Sequence, residues 1–420
     1  MTNQSVQYSK YPNVLLFSSY VSRESGASHA LRETVKRIRA RGIKPLVVVP
    51  ESEDSRAMFP EEDFDVVYMN IQRPRRTWNA LIHARYLLSF PKTLLSVRRL
   101  ILERGIHLIH FNEITDFIAG IAAKWCGVPC ICHVRADRPP NPYRWLLLAT
   151  LSRTTSAIVV PSKSAADWIA SDRRALAGRI RLVYDYAFDA RDYQLPLSGL
   201  EFRRELDIPD NHVLVLLVSK LVVHKGHKCF IRAARKVLGV SRDISFVVVG
   251  AAVPGHEPEA SGIKALAESL VPAPALRFAG SRSDLPNIYS ASDIVVHCPI
   301  FPDTYPTVVL LPMLVGKPVI GSNIGGIPEQ IEHEKTGILV PADDADALAD
   351  AILRLANDPA KRYSMGAAAM KRIQLASAPE TQARLLAELY AETMANDNLK
   401  KESRFLSSRK REDTLSKRTI

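Results

Sequence analysis

Two cations and a glycine follow one apolar run of the chain, where Leu217-Val218-Ser219-Lys220-Leu221 leads into His224-Lys225-Gly226. Ammonium groups in a strand-to-helix loop can neutralise charge on a departing diphosphate without a metal ion, so Ser219, Lys220 and Lys225 form a candidate anion clamp. Exposed lysines are more often merely solvated, and that reading stays open for both. Further along, Ile294-Val295-Val296-His297 enters the proline-rich loop Cys298-Pro299-Ile300-Phe301-Pro302-Asp303-Thr304-Tyr305-Pro306-Thr307, and Pro318-Val319-Ile320-Gly321 leads to Gly325-Gly326-Ile327-Pro328-Glu329. Paired glycines let a backbone approach an anion closely, and a helix that follows them offers N–H groups and the positive end of its dipole. Taken alone, Gly-Gly-Ile-Pro-Glu is more simply a tight turn before a helix. Asp303 either faces a ligand or shapes the loop. A pyrophosphate site requires the lysines near 220 and the glycines near 325 to converge on one hollow.

The amino half carries a second, weaker set. His133 ends the run Cys130-Ile131-Cys132-His133-Val134 and is followed by Arg135 and Asp137. A histidine there either moves a proton near neutral pH or serves as a core residue. Gly26 lies in a loop of small residues, 19–28, open enough for backbone contact with phosphate or acceptor. Ser162 follows Val159-Val160-Pro161, where capping a helix is as good an account as touching a ligand. Cys130, Cys132 and His133 do not make a metal site, because the two cysteines share one strand face and no second Cys/His pair follows at a ligand spacing. The five cysteines are expected to be reduced and mostly buried.

Elements must hold these residues in place. Apolar runs at 14–18 and 45–49 bracket a segment with Leu31, Val35 and Ile38 on one helical face, a βαβ opening that predicts a doubly wound parallel sheet with right-handed crossovers. Further strands are predicted at 66–69, 108–111, 130–134 and 157–160. After a polar connector at 189–199, a second series follows: strands 213–218, 245–250, 294–297, 318–321 and 338–340, with helices 229–238, 260–270 and 344–356. The expected division is an amino-terminal Rossmann-like domain over 1–190, a carboxyl-terminal one over 191–378, a helix over 379–396 that crosses back to the first domain and a basic, disordered tail over 397–420. Two such domains facing across a cleft place the active site between them.

Composition limits the classes. With 420 residues, 47% hydrophobic and 7% aromatic, the chain has material for two cores of an ordinary α/β protein. Residues 1–10 are polar and no run approaches the roughly 18 apolar residues that span a bilayer, which predicts a cytoplasmic protein, free or peripheral on the inner membrane face. The net charge of +12 is uneven: residues 71–105 hold eight Lys or Arg against one acid, and residues 399–420 eight against three. In 71–105, Arg73, Arg75, Arg76, Arg85, Lys92, Arg98, Arg99 and Arg104 accompany Trp78, Leu87, Leu88 and Leu95, a mixture suited to an anionic membrane surface; Tyr143-Arg144-Trp145-Leu146 adds to it. A basic face around an ordinary helical core explains it equally well. Nucleic acid is not an expected partner, since no recognition motif accompanies the charge. Nor does a Gly-x-Gly-x-x-Gly follow the first strand, as a dehydrogenase would need.

The order strand, proline-rich loop, buried helix, strand, Gly-Gly turn over 280–341 resembles the nucleotide-sugar pocket of family-4 retaining glycosyltransferases of the GT-B fold. As architecture the resemblance covers most of 13–395, and its specific motifs lie in 217–340. It implies that Lys220 and Lys225 take the family's two cation positions, with Ser219 where a glycine is usual. The family's pair of glutamates falls on Asp303, which keeps a carboxylate near the sugar, and on Leu311, which forfeits ribose hydrogen bonds worth about 1–3 kcal/mol. Implied donor-binding residues are Ser219, Lys220, Lys225, His297, Thr304, Tyr305, Pro306, Thr307, Gly325 and Gly326. Gly26, Ala27 and Arg135 fall on the acceptor side, and His133, Lys225 and Asp303 are the implied catalytic residues. The implied reaction moves a sugar from a nucleoside-diphosphate sugar to a hydroxyl of a lipid-linked or glycan acceptor in envelope polysaccharide or glycolipid synthesis. It proceeds with retention, without metal or other cofactor and without a covalent two-carboxylate route. The departure at Leu311 leaves a rival outcome, a weak or inactive transferase-like partner that binds sugar nucleotide or glycan.

Overall fold

Short runs of Val, Ile and Leu, bounded by Gly, Pro or polar residues, form two parallel sheets in the computed structural model. It describes residues 12–23, 25–73, 80–135, 139, 143–186, 188, 193, 197–271, 273–376 and 379–416, apart from the side chains of 80, 375, 376, 379 and 404–416. The first sheet holds β1 (Asn13–Phe17), β2 (Lys44–Pro50), β3 (Val66–Met69), β4 (Leu108–Phe111), β5 (Cys130–His133), β6 (Ala157–Val160) and β7 (Ile180–Leu182), in the order β3-β2-β1-β4-β5-β6-β7. The second holds β8 (Val213–Val218), β9 (Ile244–Val249), β10 (Leu276–Phe278), β11 (Ile294–His297), β12 (Val319–Ser322) and β13 (Gly337–Val340), in the order β10-β9-β8-β11-β12-β13. Parallel strands covered by helices on both faces read as continuous apolar runs, which is why β4, β6, β9 and β11 are buried along their whole length. The fold is GT-B: two Rossmann-like doubly wound sheets, as expected.

The chain divides into two units. One holds residues up to Val160, Ala166–Val183 and the chain from Pro379 on; the other holds Pro161–Ala165 and Tyr184–Ala378. The change of unit falls before residue 190 because Ile180-Arg181-Leu182 adds an unanticipated edge strand to the first sheet. Tyr186 and Phe188 then pack in the second unit's core.

Within the first unit, the helix Gly26–Arg39 buries Leu31, Val35 and Ile38. The helix Pro379–Ser416 adds Leu386, Leu389, Tyr390 and Met394 to the same core. This helix also corrects an expectation. Where a disordered tail was predicted from 397, the helix continues to Ser416, with Lys401 paired to Asp397 one turn back. An acid and a base one helical turn apart support the helix over 397–401, where low apolar content does not end it. The basic residues Lys417 and Arg418 lie outside the described residues.

Candidate active site

In the second unit the chain leaves β8 for β9 and β10 on one side and returns to β11 on the other, so the carboxyl ends of β8 and β11 flank the point where strand order reverses. Ligands of open α/β sheets bind at that place. Ser219 and Lys220 leave β8 there, and His297 ends β11 ahead of the loop carrying Asp303. The Ser219 N–H donates to the Val249 carbonyl at 2.9 Å. Gly226, with φ of 80°, opens the helix His227–Leu238, and a Cβ on it would lie 1.7 Å from the Cys298 carbonyl oxygen. The Ile300 N–H donates to the His224 carbonyl at 3.0 Å, so the two loops are held backbone to backbone.

That contact brings charge together. Lys225 Nζ lies 2.5 Å from Asp303 Oδ2, and His297 Nε2 lies 3.6 Å from the same oxygen. Burial alone would raise the Asp303 carboxyl; Lys225 and His297 outweigh it and hold the group far below the usual carboxylate range. Burial lowers His297, against the pull of the Asp303 carboxylate beside it. Lys225 is thus neutralised by its partner, whereas half-buried Lys220 makes no ion pair among the described residues.

Gly325 and Gly326 join the same cluster through Asp303. The Gly326 N–H donates to the Asp303 carbonyl at 2.8 Å. A Cβ on Gly325, whose φ is 61°, would fall 2.3 Å from that oxygen, and one on Gly326 would fall 1.9 Å from the Thr304 carbonyl oxygen. The glycines are required because the turn lies against the Asp303–Thr304 backbone. This amends the expected phosphate cradle in part, since the Gly326 amide is engaged and the helix that follows, Ile327–Gln330, is a single turn. Pro306 precedes Thr307 at the start of the helix Thr307–Leu314, and its carbonyl accepts from Gln330 Nε2 at 3.1 Å. The Tyr305 ring stacks on Tyr184 at 5.1 Å.

Glu329, unassigned in the sequence reading, accepts from the Lys163 and Ser164 N–H groups at 2.9 and 3.2 Å. Ser162 Oγ accepts from the Ala165 N–H at 3.1 Å, so Ser162 caps a helix. Leu311 is only 5% exposed and packs with Val309, Leu310, Met313 and Val319. A leucine there contributes about 1.5–3 kcal/mol of burial, a reason for its presence that a lost ribose contact does not supply.

The first unit has its own reversal of strand order, between β1 and β4, and a polar cluster occupies it. Asp116, 1% exposed, accepts through Oδ1 from the Ser19 N–H at 3.1 Å and from Ser19 Oγ, while Oδ2 is buried with no hydrogen-bond partner among the described residues. Burial pushes its carboxyl up to about 7 against the pull of the Ser19 bonds and Arg73. Asn112 Oδ1 accepts from Arg135, and Asn112 Nδ2 donates to the Ala27 carbonyl at 3.4 Å. Gly26 begins its helix at the surface beside Ala27. His133 is fully buried and stacked on His110 at 5.4 Å, whose Nδ1 lies 2.5 Å from the Tyr390 hydroxyl. Burial, and then Arg135, hold the His133 imidazole well below its ordinary range and so neutral. Asp137 lies outside the described residues. Asp116 and Asn112 escaped the sequence reading, which did not order the strands; an acid just after β4 becomes a signal only once β4 is known to lie beside β1.

Residues 200–372 match the family described as Glycosyl transferases group 1, and residues 25–185 match Glycosyltransferase Family 4. Along the chain the Family 4 match comes first and the group 1 match second, and the fold that holds them is GT-B. It is similar to D-inositol 3-phosphate glycosyltransferase of Corynebacterium glutamicum (strain R), 32% identical over 47% of either chain. It is also similar to alpha-D-kanosaminyltransferase of Streptomyces kanamyceticus, 26% identical over 59% of this chain and 67% of that one. The chain spans about half the length of the Corynebacterium relatives it matches. Among solved structures, Anabaena Alr3699/HepE in complex with UDP-glucose superposes with a TM-score of 0.78 at 21% identity, over 90% of this chain and 99% of that one, a likeness of fold.

Proposed function

We propose that this chain transfers a sugar from a nucleoside-diphosphate sugar to an acceptor hydroxyl with retention, in the synthesis of an envelope polysaccharide or glycolipid. The second unit holds the donor and the first unit the acceptor. The observation that carries the reading is the cluster at the β8/β11 reversal, where Lys225, His297, Asp303, Gly325 and Gly326 meet and Lys220 makes no ion pair among the described residues. Lys220 faces the diphosphate, and Asp303 fixes Lys225 and the loop backbone around it; no metal takes part. Relatives named as glycosyltransferases and a neighbour crystallised with UDP-glucose support this class. Among the described residues no helix is long and apolar enough to cross a membrane, and a peripheral position on an anionic inner face fits a lipid-linked acceptor.

A second reading is favoured by one observation. Leu311 is a core residue where a ribose-binding carboxylate is expected, which suits a partner that binds sugar nucleotide with little turnover. Thermal shift against UDP-glucose, UDP-N-acetylglucosamine and GDP-mannose, followed by transfer and hydrolysis assays with the best donor, tests both. Stabilisation by one donor, lost in Lys220→Met and accompanied by turnover, supports the transferase. Stabilisation without turnover favours the partner, and no stabilisation by any nucleotide sugar overturns both. The anomeric configuration of the product, read by NMR, decides retention.

A further inference from the structure

The helix Ala80–Glu103 shows an exposed pattern that the site does not use. Leu88, Leu95 and Leu102 recur every seven residues and are 76%, 53% and 57% exposed. Seven residues advance an α-helix to within about 20° of two full turns, so the three lie in one nearly straight stripe. Arg85, Lys92 and Arg99 recur at the same interval, displaced from the leucines, and all are exposed. The opposite face, with Thr93, Val97 and Ile101 buried, packs into the unit, so its own core does not explain the stripe.

The apolar surface continues onto the neighbouring helices. Arg98 lies over the exposed Trp125 ring at 4.8 Å, on the helix Phe117–Cys126. Beside it, Ile121, Trp145, Leu146 and Ala149 line a depression of about 380 Å³ with Lys124 and Arg153 among its walls. Trp145 and Leu146 are 64% and 56% exposed, although they sit on the helix Tyr143–Thr154 whose Leu147, Leu148 and Leu151 are buried. Exposed apolar patches spread over three helices mark an interaction surface.

Charge selects the occupant. Glu103, paired with Arg99 at 2.6 Å, is the one acid on the helix Ala80–Glu103. A second copy seated on the leucine stripe would bring two rows of cations together with almost no acid to offset them, which disfavours self-pairing. An anionic bilayer meets both demands, taking leucine and tryptophan at the acyl boundary and cations at the headgroups. We propose that this three-helix face of the first unit is the surface through which the protein lies on an anionic membrane, with Leu88, Leu95, Trp145 and Leu146 as the inserted side chains. The proposal deepens the reading of a lipid-linked acceptor but does not depend on turnover.

Flotation of the full chain with vesicles of phosphatidylcholine alone, or with phosphatidylglycerol added at about a third, tests it. Binding is expected only to the anionic vesicles and falls with salt. Arg85→Gln with Lys92→Gln should weaken binding about thirtyfold at low salt, roughly fivefold per cation. Leu88→Glu with Leu95→Glu should abolish flotation while leaving thermal unfolding and nucleotide-sugar binding unchanged, since both side chains are exposed. Lys236→Gln, on the second unit, should bind vesicles like the parent. Absence of anionic flotation, flotation indifferent to the leucine pair, or a dimer in sedimentation that the leucine pair dissolves would each overturn the proposal. Donor binding is read separately, so failure here leaves the donor reading intact.

Discussion

Asp116 offers the sharpest test of the electrostatics in the first unit. Its carboxyl is pushed up from 3.8 to about 7 by burial, against the hydrogen bonds from Ser19 and the charge of Arg73. Between those two values the folded chain holds a proton that the unfolded chain has released, so stability falls as pH rises through the window and the loss is complete above about 7. At about 1.36 kcal/mol per unit over roughly three units, the burden at pH 8 is on the order of 4 kcal/mol, an upper bound because water entry relaxes a buried charge. Buried histidines act in the opposite sense. His133 is well below its ordinary range and His227 is pushed down to about 4, so folding disfavours their protonated forms and they add stability as pH rises toward 6.5. A single pH profile therefore mixes signs, and a difference between two proteins is needed. Asp116→Asn keeps an oxygen for the Ser19 N–H and removes the titration. Urea melts followed by tryptophan fluorescence should find the variant close to the parent near pH 4 and more stable by about 1–4 kcal/mol at pH 8. A difference that stays constant from pH 4 to pH 8, or that shrinks with rising pH, would refute the reasoning.

Gly326→Ala places a Cβ 1.9 Å from the Thr304 carbonyl oxygen; the expected overpacking cost is about 1–3 kcal/mol, visible as a lowered Tm together with weaker donor binding. If Ala is tolerated with an unchanged Tm, the backbone contact assigned to that turn is wrong. Lys225→Met and Asp303→Leu should each cost about 1–3 kcal/mol by stranding a charged partner, and the double variant should cost clearly less than their sum. Additive losses in the denaturation cycle would show that the ion pair carries no coupling. Leu311→Glu should lower stability by several kcal/mol without improving donor affinity, since it sets a carboxylate in an apolar core; tighter donor binding at unchanged Tm would reverse the assignment of that residue to packing.

Strands that are buried on both faces announce themselves as uninterrupted apolar runs, so β4, β6, β8 and β11 were legible to the residue. The missed ones, Ile180-Arg181-Leu182 and Leu276-Arg277-Phe278, are three-residue edge strands with an arginine at the centre. An edge strand needs only one partner and tolerates exposure, which leaves too little periodicity to read. The site divides in the same way. Residues at or just past the end of a recognisable strand, such as Lys220, His297 and Gly325, could be placed at a sheet's carboxyl edge from sequence, because direction along a strand is fixed by the chain itself. Residues whose role depends on which strands are neighbours could not: Asp116 meets Ser19 only because β4 lies beside β1. The glycine pair shows a subtler limit. Close approach to a phosphate and close approach to another backbone both demand a missing Cβ, so sequence cannot separate them. Here the Asp303 and Thr304 carbonyls fill that space, and the same Asp303 holds Lys225 through its side chain. One residue thus ties the lysine loop to the glycine turn by backbone and carboxylate together, which gives a four-carbon carboxylate at position 303 a structural reason independent of any sugar it faces.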